Sequence, residues 1–361
     1  MKPAVVLLLT VLAWSPVRPG AASDAFSATQ DRNERAALRC TGFGPGYILL
    51  PGSETCLRMG GYARTQAGFG TRFGLDADGD GSGDSLALES RLAIRLSTAL
   101  DTENGPLTTY STFTFRQFSV GRLAFRDTDA DPATPPVVAF GIDEILTYAM
   151  DDAWIDYFGF RIGYSDSNFT TWIDYAGDVI SDDEIGHGPY GTSFVRYRYD
   201  SGKGLTAMLA AEFDQRSGGR HAPNLVAGVG LSMGNLLLGA VAGYDGRTQA
   251  TAVKARIDVS QGPLQAFAMA AYDFAAEKGV ANYYAPWSGT WAFWAGGSYR
   301  LAENLRTNAQ FSADQGNNYS LVANAVYTVT SRLSLTTELT FTNFANSGRL
   351  WGGILRLQRS W

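Results

Sequence analysis

The segment Leu86-Ala-Leu-Glu-Ser-Arg-Leu-Ala-Ile-Arg-Leu96 alternates apolar and polar side chains along most of its length. Successive side chains of a β-strand point to opposite faces, so this order gives the strand one apolar face and one charged face. The apolar face carries Leu86, Leu88, Leu92, Ile94 and Leu96, and the charged face carries Glu89, Arg91 and Arg95. Residues 333–341 repeat the pattern. Both segments predict a strand that separates an apolar environment from water.

Similar alternation continues from Leu57 to the last residue, Trp361. It predicts sixteen strands with no helical segment between them, at 57–69, 85–100, 107–119, 145–158, 159–166, 191–200, 203–214, 223–233, 235–245, 249–260, 263–275, 289–300, 303–314, 318–329, 332–343 and 349–361. Soluble sandwiches and propellers also contain many short strands. Here, however, the polar faces mix Arg, Glu, Asp and small residues, and aromatic residues lie close to strand ends. The sequence therefore favours an all-β fold, a transmembrane antiparallel up-and-down β-barrel of about 16 strands.

The connections between the predicted strands alternate in length. Short turns occupy 200–204, 233–235, 260–263 and 301–304, whereas longer polar loops occupy 70–84, 120–144, 167–190, 214–222 and 276–288. Outer-membrane barrels have short turns on the periplasmic side and long loops outside. We therefore predict that the protein is embedded in the lipid of the cell outer membrane, with both chain ends on the periplasmic side.

The amino terminus has the features of an export signal. Lys2 precedes the apolar stretch Ala4–Trp14, and residues 20–22 are small enough for cleavage. The chain is thus predicted to comprise a signal peptide at 1–22, a periplasmic amino-terminal segment at 23–56 and the barrel at 57–361. Loss of 1–22 removes Lys2 and Arg18, which changes the formal net charge from −6 to −8. A mildly acidic chain is not expected to bind nucleic acid.

Two cysteines, Cys40 and Cys56, lie just before the first predicted strand. In an exported chain, two cysteines this close in sequence predict one disulfide bond. A shared metal ion is the alternative, although the two histidines, His187 and His221, are both distant in sequence.

The loop at 167–190 combines acidic and large apolar side chains. Its carboxylates are Asp174, Asp178, Asp182, Asp183 and Glu184, and its large apolar residues include Trp172, Ile173, Val179, Ile180 and Ile185. A freely solvated loop gains nothing from so many apolar side chains, so we expect it to fold into the barrel lumen with its carboxylates towards the pore. An exposed acidic loop is the alternative.

Arginines supply the opposite charge on the predicted inward faces of the strands. The candidates are Arg58, Arg64, Arg91, Arg95, Arg116, Arg161, Arg196 and Arg198. The guanidinium group keeps its charge and a fixed planar shape. Rows of arginine and carboxylate that face each other across water would filter solutes by size, charge and dipole. Alternatively, some of these arginines pair with neighbouring acids on the wall.

Two stretches of the chain resemble the general porins of alphaproteobacteria. The first comprises Gly44-Pro-Gly-Tyr47 and Pro51-Gly-Ser-Glu-Thr-Cys-Leu-Arg-Met-Gly-Gly-Tyr62, and the second comprises Phe160-Arg-Ile-Gly-Tyr-Ser-Asp-Ser-Asn-Phe169, Gly177-Asp-Val-Ile-Ser-Asp-Asp183 and Gly188-Pro-Tyr190. The resemblance implies a homotrimeric outer-membrane porin of sixteen strands that passes small hydrophilic solutes and ions, with its third long loop folded inward.

The same resemblance assigns roles to individual residues. It implies that Asp178, Asp182 and Asp183 lie in the constriction, and that Cys40 and Cys56 occupy the cysteine positions of the family's amino terminus. Trp361 fits the carboxyl-terminal assembly signal of such barrels, whereas Arg359 stands where a large apolar residue is usual.

The predicted function is a passive diffusion channel that has no cofactor and is not an enzyme. A catalytic barrel would need a nucleophile beside a base, and both histidines lie in predicted loops. A substrate-specific channel, for example one selective for a sugar, is the alternative. It is supported by a set of tryptophans that would form an aromatic track if they face inward: Trp172, Trp287, Trp291 and Trp294.

One loop imitates a calcium site. Asp76, Asp78 and Asp80 have the spacing of calcium ligands, but Ala87 occupies the position where a bidentate Glu is expected. The metal site is thus a weak candidate, and a plain acidic surface loop is favoured.

Overall fold

The computed structural model describes residues 40–76, 83, 85–126, 137–213 and 222–361, with the backbone alone at 121–126 and 137–141. The predicted signal peptide at 1–22, and the calcium candidates Asp78 and Asp80, lie outside the described residues. The chain divides into two compact units, one that ends at Cys56 and one that spans Leu57–Trp361. No helix among the described residues is long and apolar enough to cross a membrane.

The described part of the amino-terminal unit is small and closed by a disulfide bond. It contains a 3-10 helix at Thr41–Phe43 and the two-residue strand β1 at Ile48–Leu49. Cys40 and Cys56 are joined, with their Cα atoms 5.7 Å apart, and both are buried. The predicted disulfide is therefore confirmed.

The second unit is a closed antiparallel barrel. Each barrel strand pairs with its neighbours in sequence, and the last pairs with the first, from Gly353 opposite Phe69 to Ser360 opposite Tyr62. The predicted fold class is confirmed. Among the described residues the barrel has sixteen strands: β2 Cys56–Phe69, β3 Ala87–Thr102, β4 Gly105–Arg126, β5 Val137–Tyr157, β6 Phe160–Ser165, β7 Thr192–Asp200, β8 Leu205–Phe213, β9 Asn224–Met233, β10 Leu236–Asp245, β11 Ala250–Gln261, β12 Leu264–Asp273, β13 Trp291–Ala302, β14 Leu305–Asp314, β15 Tyr319–Thr330, β16 Leu333–Phe344 and β17 Gly348–Ser360.

The largest departure from the sequence prediction is the hairpin of β4 and β5. Pairing continues to Arg126 opposite Val137, so most of the loop predicted at 120–144 is strand. Two physical features explain the error. Residues 137–140 read Val-Val-Ala-Phe, an apolar run without alternation, and β-branched and aromatic residues favour strands. A β-bulge where Thr112 and Phe113 face β5 also shifts the pattern of alternation.

The two faces of the strands differ as the alternation predicts. On β16, Leu339 and Phe341 are exposed on the outer face, whereas Thr336, Glu338 and Thr340 point inward. These inward polar residues are nevertheless buried. A segment of chain must therefore cover them inside the barrel.

Candidate functional site

The covering segment is the third long loop, which lies inside the barrel as predicted. It begins with a helical turn at Asn168–Thr171, where the Ser167 hydroxyl accepts a hydrogen bond from the Phe169 N–H at 3.1 Å. Ile173, Val179 and Ile185 are buried. Burial of these side chains is the apolar contact that the composition of the loop predicts.

Two glycines in the wall let the loop approach closely. A Cβ atom on Gly228 of β9 would lie 2.4 Å from Trp172 Cδ1, and one on Gly239 of β10 would lie 2.7 Å from Ile173 Cγ2. The Trp172 indole N–H also donates to the Val229 carbonyl at 3.2 Å. The absence of side chains at these positions makes the recess in which the loop sits.

A buried glutamate on β8 anchors the start of the loop. Glu212 is 0% exposed, and its carboxylate accepts from the Ser167 hydroxyl at 2.8 Å, the Asn168 N–H at 2.6 Å and the Asn168 side chain at 2.9 Å. The Tyr284 hydroxyl adds a fourth bond at 3.0 Å. The desolvated carboxylate is thus compensated by hydrogen bonds, most of which come from the loop.

A second buried glutamate anchors the tip of the loop. Glu338 on β16 is 1% exposed. Its carboxylate accepts from the Ile180 N–H, from the Ser181 N–H at 2.9 Å and from the Ser181 hydroxyl at 2.7 Å. Asn324 on β15 bonds to the same carboxylate at 3.1 Å and to the Asp178 carbonyl at 3.2 Å.

Between the two anchors, side chains of the wall donate to backbone carbonyls of the loop. Gln310 donates to the Asp182 carbonyl, the Trp294 indole to Ile185 and the Lys254 ammonium to His187, at 2.8, 2.8 and 2.6 Å. Arg256 donates to the Tyr175 carbonyl. Because donors on many strands contact it, the loop is fixed along one side of the lumen.

The predicted loop acids occupy different environments. Asp174 is exposed, and Asp178 pairs with Arg306 of β14 at 3.1 Å. Asp182 and Asp183 lie 3.5 and 3.9 Å from the ring nitrogen of His187. Burial raises the pKa of the Asp183 carboxyl.

Glu184, by contrast, is tied to the wall. Its side chain is 5% exposed and pairs with Arg72, which lies in the helical turn Gly70–Phe73 after β2, at 2.9 Å. Burial raises the pKa of the Glu184 carboxyl, and the Arg72 guanidinium opposes that effect. The residue therefore fastens the loop and presents little carboxylate to water.

Three of the predicted wall arginines converge on one carboxylate. Arg64 of β2, Arg91 of β3 and Arg116 of β4 lie 3.9, 3.5 and 2.6 Å from Glu89 of β3. The Arg95 guanidinium lies 5.5 Å from the Tyr62 ring centroid. Arg58, near the start of β2, is exposed.

The other predicted arginines lie on β6 and β7. Arg161 pairs with Asp156 at 2.8 Å and stacks 3.6 Å above the Trp154 ring. Arg196 donates to the Asn168 side chain at 3.1 Å, at the start of the loop. Arg198 lies 3.4 Å from Asp200.

The sequence analysis missed several residues of the site. Arg356 on β17 points inward and donates to the Gln66 side chain at 2.8 Å. The alternation of Leu355 and Leu357 in the strand predicted at 349–361 indicates this inward position, but Arg356 was not among the predicted pore-wall arginines. The anchors Glu212 and Glu338 gave no signal of their own, because a carboxylate on an inward face resembles any pore-lining acid.

Two sequence features resemble a hydrolase motif and an aromatic track, and neither has the required structural setting. Gly230-Leu-Ser-Met-Gly234 has the spacing of a hydrolase nucleophile elbow, but it lies on β9 and the following turn instead of between a strand and a helix. The predicted tryptophan track does not form: Trp287 and Trp294 are buried, and Trp291 is exposed on the outer face of β13.

The chain resembles proteins of one kind in sequence and in fold. Residues 38–353 match the family described as the Porin subfamily. Porin Omp2b of Brucella canis and of Brucella melitensis are each 29% identical to it, and the alignments cover 94% of this chain and 94% of each relative. The outer membrane channel DcaP of Acinetobacter baumannii superimposes with a TM-score of 0.59 at 17% identity, over 85% of this chain and 97% of DcaP. OprB of Pseudomonas putida gives 0.54 at 11% identity, over 84% and 94%.

Proposed function

The chain belongs to the Porin subfamily, and on that basis we propose that it forms a water-filled channel through which small hydrophilic solutes and ions diffuse passively. It is an outer-membrane β-barrel, and the relatives that it matches are porins and not enzymes. One observation supports the proposal above all others. A long loop is fastened inside the barrel at Glu212 and Glu338, on one side of the lumen, and so narrows the lumen.

The narrowed lumen would filter solutes by charge as well as by size. Asp174, Asp178, Asp182 and Asp183 belong to the loop. Arg64, Arg91 and Arg116 belong to the strands β2, β3 and β4, which carry neither anchor, and Arg356 belongs to β17, next to the anchor strand β16. Opposite charges on the two sides of a water-filled gap produce a transverse field, which favours small polar solutes that can orient in it.

A homotrimer is the proposed assembly. On the outer face of β5, Leu146 is 70% and Tyr148 is 82% exposed, and Phe115 of β4 and Met150 of β5 flank them. We call these four residues the outer patch. The outward apolar band of an outer-membrane barrel contacts lipid or a neighbouring subunit, and we propose that the outer patch lies at the contact between subunits, in agreement with the family resemblance of the sequence.

Liposome swelling tests the diffusion function. Proteoliposomes of the purified, folded protein should swell in sugars of increasing size at rates that fall smoothly with solute size. Permeation of one sugar out of proportion to its size would favour the substrate-specific alternative. Swelling no faster than in protein-free liposomes would overturn the channel function.

A further inference from the structure

We propose that Arg64, Arg91, Arg116 and Arg356 form a binding site in the pore wall for a small polyvalent oxyanion of the phosphate type. The proposal rests on the channel function, because the ligand reaches the site through the lumen. We call these four residues the arginine cluster.

The first argument is the ratio of charges. Arg64, Arg91 and Arg116 share the single carboxylate of Glu89, at 3.9, 3.5 and 2.6 Å. Arg356 has an uncharged partner, Gln66, at 2.8 Å. Arg356 also interacts electrostatically with Glu338 of the neighbouring strand, and Arg91 with Asp151 of β5. Arginine stays protonated in proteins, so four positive charges face three carboxylates, of which Glu89 alone among the described residues lies within salt-bridge distance.

The strand register shows that the fourth arginine belongs to the group. Arg356 is opposite Gln66, and Arg64 is opposite Gln358, so Arg356 and Arg64 are diagonal neighbours on the same face of adjacent strands. Diagonal positions lie within reach of long side chains. Arg91 and Arg116 are directly opposite each other on β3 and β4. Like charges at directly opposite positions destabilise a strand pair, so the stability of the barrel does not explain why Arg91 faces Arg116.

The remaining hydrogen-bond donors point to a missing acceptor. The Nε atom of Arg64 is buried and finds no hydrogen-bond partner in the part of the chain that the structure describes, whereas the Nε atom of Arg91 lies 3.5 Å from Glu89 without forming a hydrogen bond. A carboxylate offers about four acceptor positions, whereas each guanidinium carries about five donors. Glu89 alone therefore cannot satisfy all the donors of the cluster.

Five other arginines of the described barrel differ from the cluster, because each has a carboxylate of its own within salt-bridge distance: Arg72 with Glu184, Arg161 with Asp156, Arg198 with Asp200, Arg256 with Asp258 and Arg306 with Asp178. A tetrahedral oxyanion suits several planar guanidinium groups, because each donates two parallel hydrogen bonds to a pair of oxygens.

The test is block of single-channel current by inorganic phosphate, with chloride as the carrier anion. Wild-type current should fall saturably as phosphate is added. Arg356→Gln should weaken the apparent phosphate affinity by about tenfold, the loss expected for a charge-assisted hydrogen bond. Arg359→Gln removes the same charge from the outer face of the same strand, and it should leave the affinity unchanged.

A second variant separates binding from structural damage. Glu89→Gln removes the one carboxylate that lies within salt-bridge distance of the cluster among the described residues, so it should tighten phosphate block by several-fold, whereas a merely disrupted wall would weaken it. Equal phosphate block in Arg356→Gln and Arg359→Gln, or weaker block in Glu89→Gln, would overturn the site. Stronger block by citrate than by phosphate would overturn the assignment to the phosphate class.

The two proposals fail in different ways. A folded protein that gives no stepwise current contradicts the channel function. Normal steps that do not respond to phosphate contradict the oxyanion site alone.

Discussion

Single carboxylates fix the position of the inward loop. Glu338→Ala removes the acceptor for the Ile180 and Ser181 N–H groups, which then lack a partner at the loop tip. The attachment of the tip should weaken by about 1.5–3 kcal/mol, the range for hydrogen bonds to a charged group. We expect noisier and larger single-channel currents.

Thr340→Ala is the matched control for this change. Thr340 lies two positions further on the same inward face of β16, and its hydroxyl has no hydrogen-bond partner in the described part of the chain. Its loss should leave the current unchanged. Equal currents in Glu338→Ala and in wild type would contradict the role of the anchor.

Protonation of Asp183 should change the ion preference of the pore. Burial raises the pKa of its carboxyl above the usual range for Asp, and this effect exceeds the opposing effect of His187. A raised pKa means that the carboxylate takes up its proton at a higher pH than an ordinary Asp as the pH falls. The loop then loses one negative charge, so the reversal potential in a KCl gradient should move towards that of chloride.

Asp183→Asn should remove this part of the pH dependence. The variant lacks the titrating group, so its reversal potential should already resemble that of the acidified wild type. The same pH profile in wild type and variant would show that Asp183 does not face the ion path.

The position of the third loop depends on its contacts with the strands beneath it and not on local sequence alone. Gly228→Ala should displace the loop, because the new Cβ would lie 2.4 Å from Trp172 Cδ1. Forcing extra volume into a packed contact costs about 1–3 kcal/mol. We expect Gly228→Ala to change the single-channel conductance. In the double variant Gly228→Ala, Trp172→Ala the conductance should equal that of Trp172→Ala alone, because the side chain that clashes is absent. Additive effects of the two substitutions would contradict direct contact.

The strands were predictable because alternation is local, as in the segment Leu86–Leu96. The extension of β4 and β5 was not, because Val137-Val-Ala-Phe140 lacks alternation. The anchors were also beyond prediction. Glu338 lies 158 positions from Ile180, and the sequence holds no sign of which inward carboxylate meets the loop.

The composition of the loop carried more information than its pattern. Its apolar residues indicated that it packs inside the barrel, and Ile173, Val179 and Ile185 are buried there. Its acids could not be sorted in advance, because Glu184 and Asp183 are adjacent in sequence and yet only Glu184 reaches Arg72.

Association of the barrels into a trimer should depend on the outer patch. Replacement of Leu146 and Tyr148 by Asn places polar groups on the proposed contact between subunits, where their burial without partners is unfavourable. We expect monomers in mild detergent, measured by light scattering after size exclusion.

Leu321 and Leu339 offer a control on the outer faces of β15 and β16, where both are exposed. Their replacement by Asn should leave the trimer intact. A wild-type protein that is monomeric in the same detergent, or trimers in both double variants, would contradict the proposed interface.

We propose that the inward loop sets the width of an open channel. The single-channel conductance of the purified protein in planar bilayers tests this directly, in wild type and in the double variant Glu212→Ala, Glu338→Ala. We expect stepwise conductance in wild type and larger, noisier steps once both anchors are removed. Folded wild-type protein without stepwise conductance, or a double variant with unchanged steps, would contradict it.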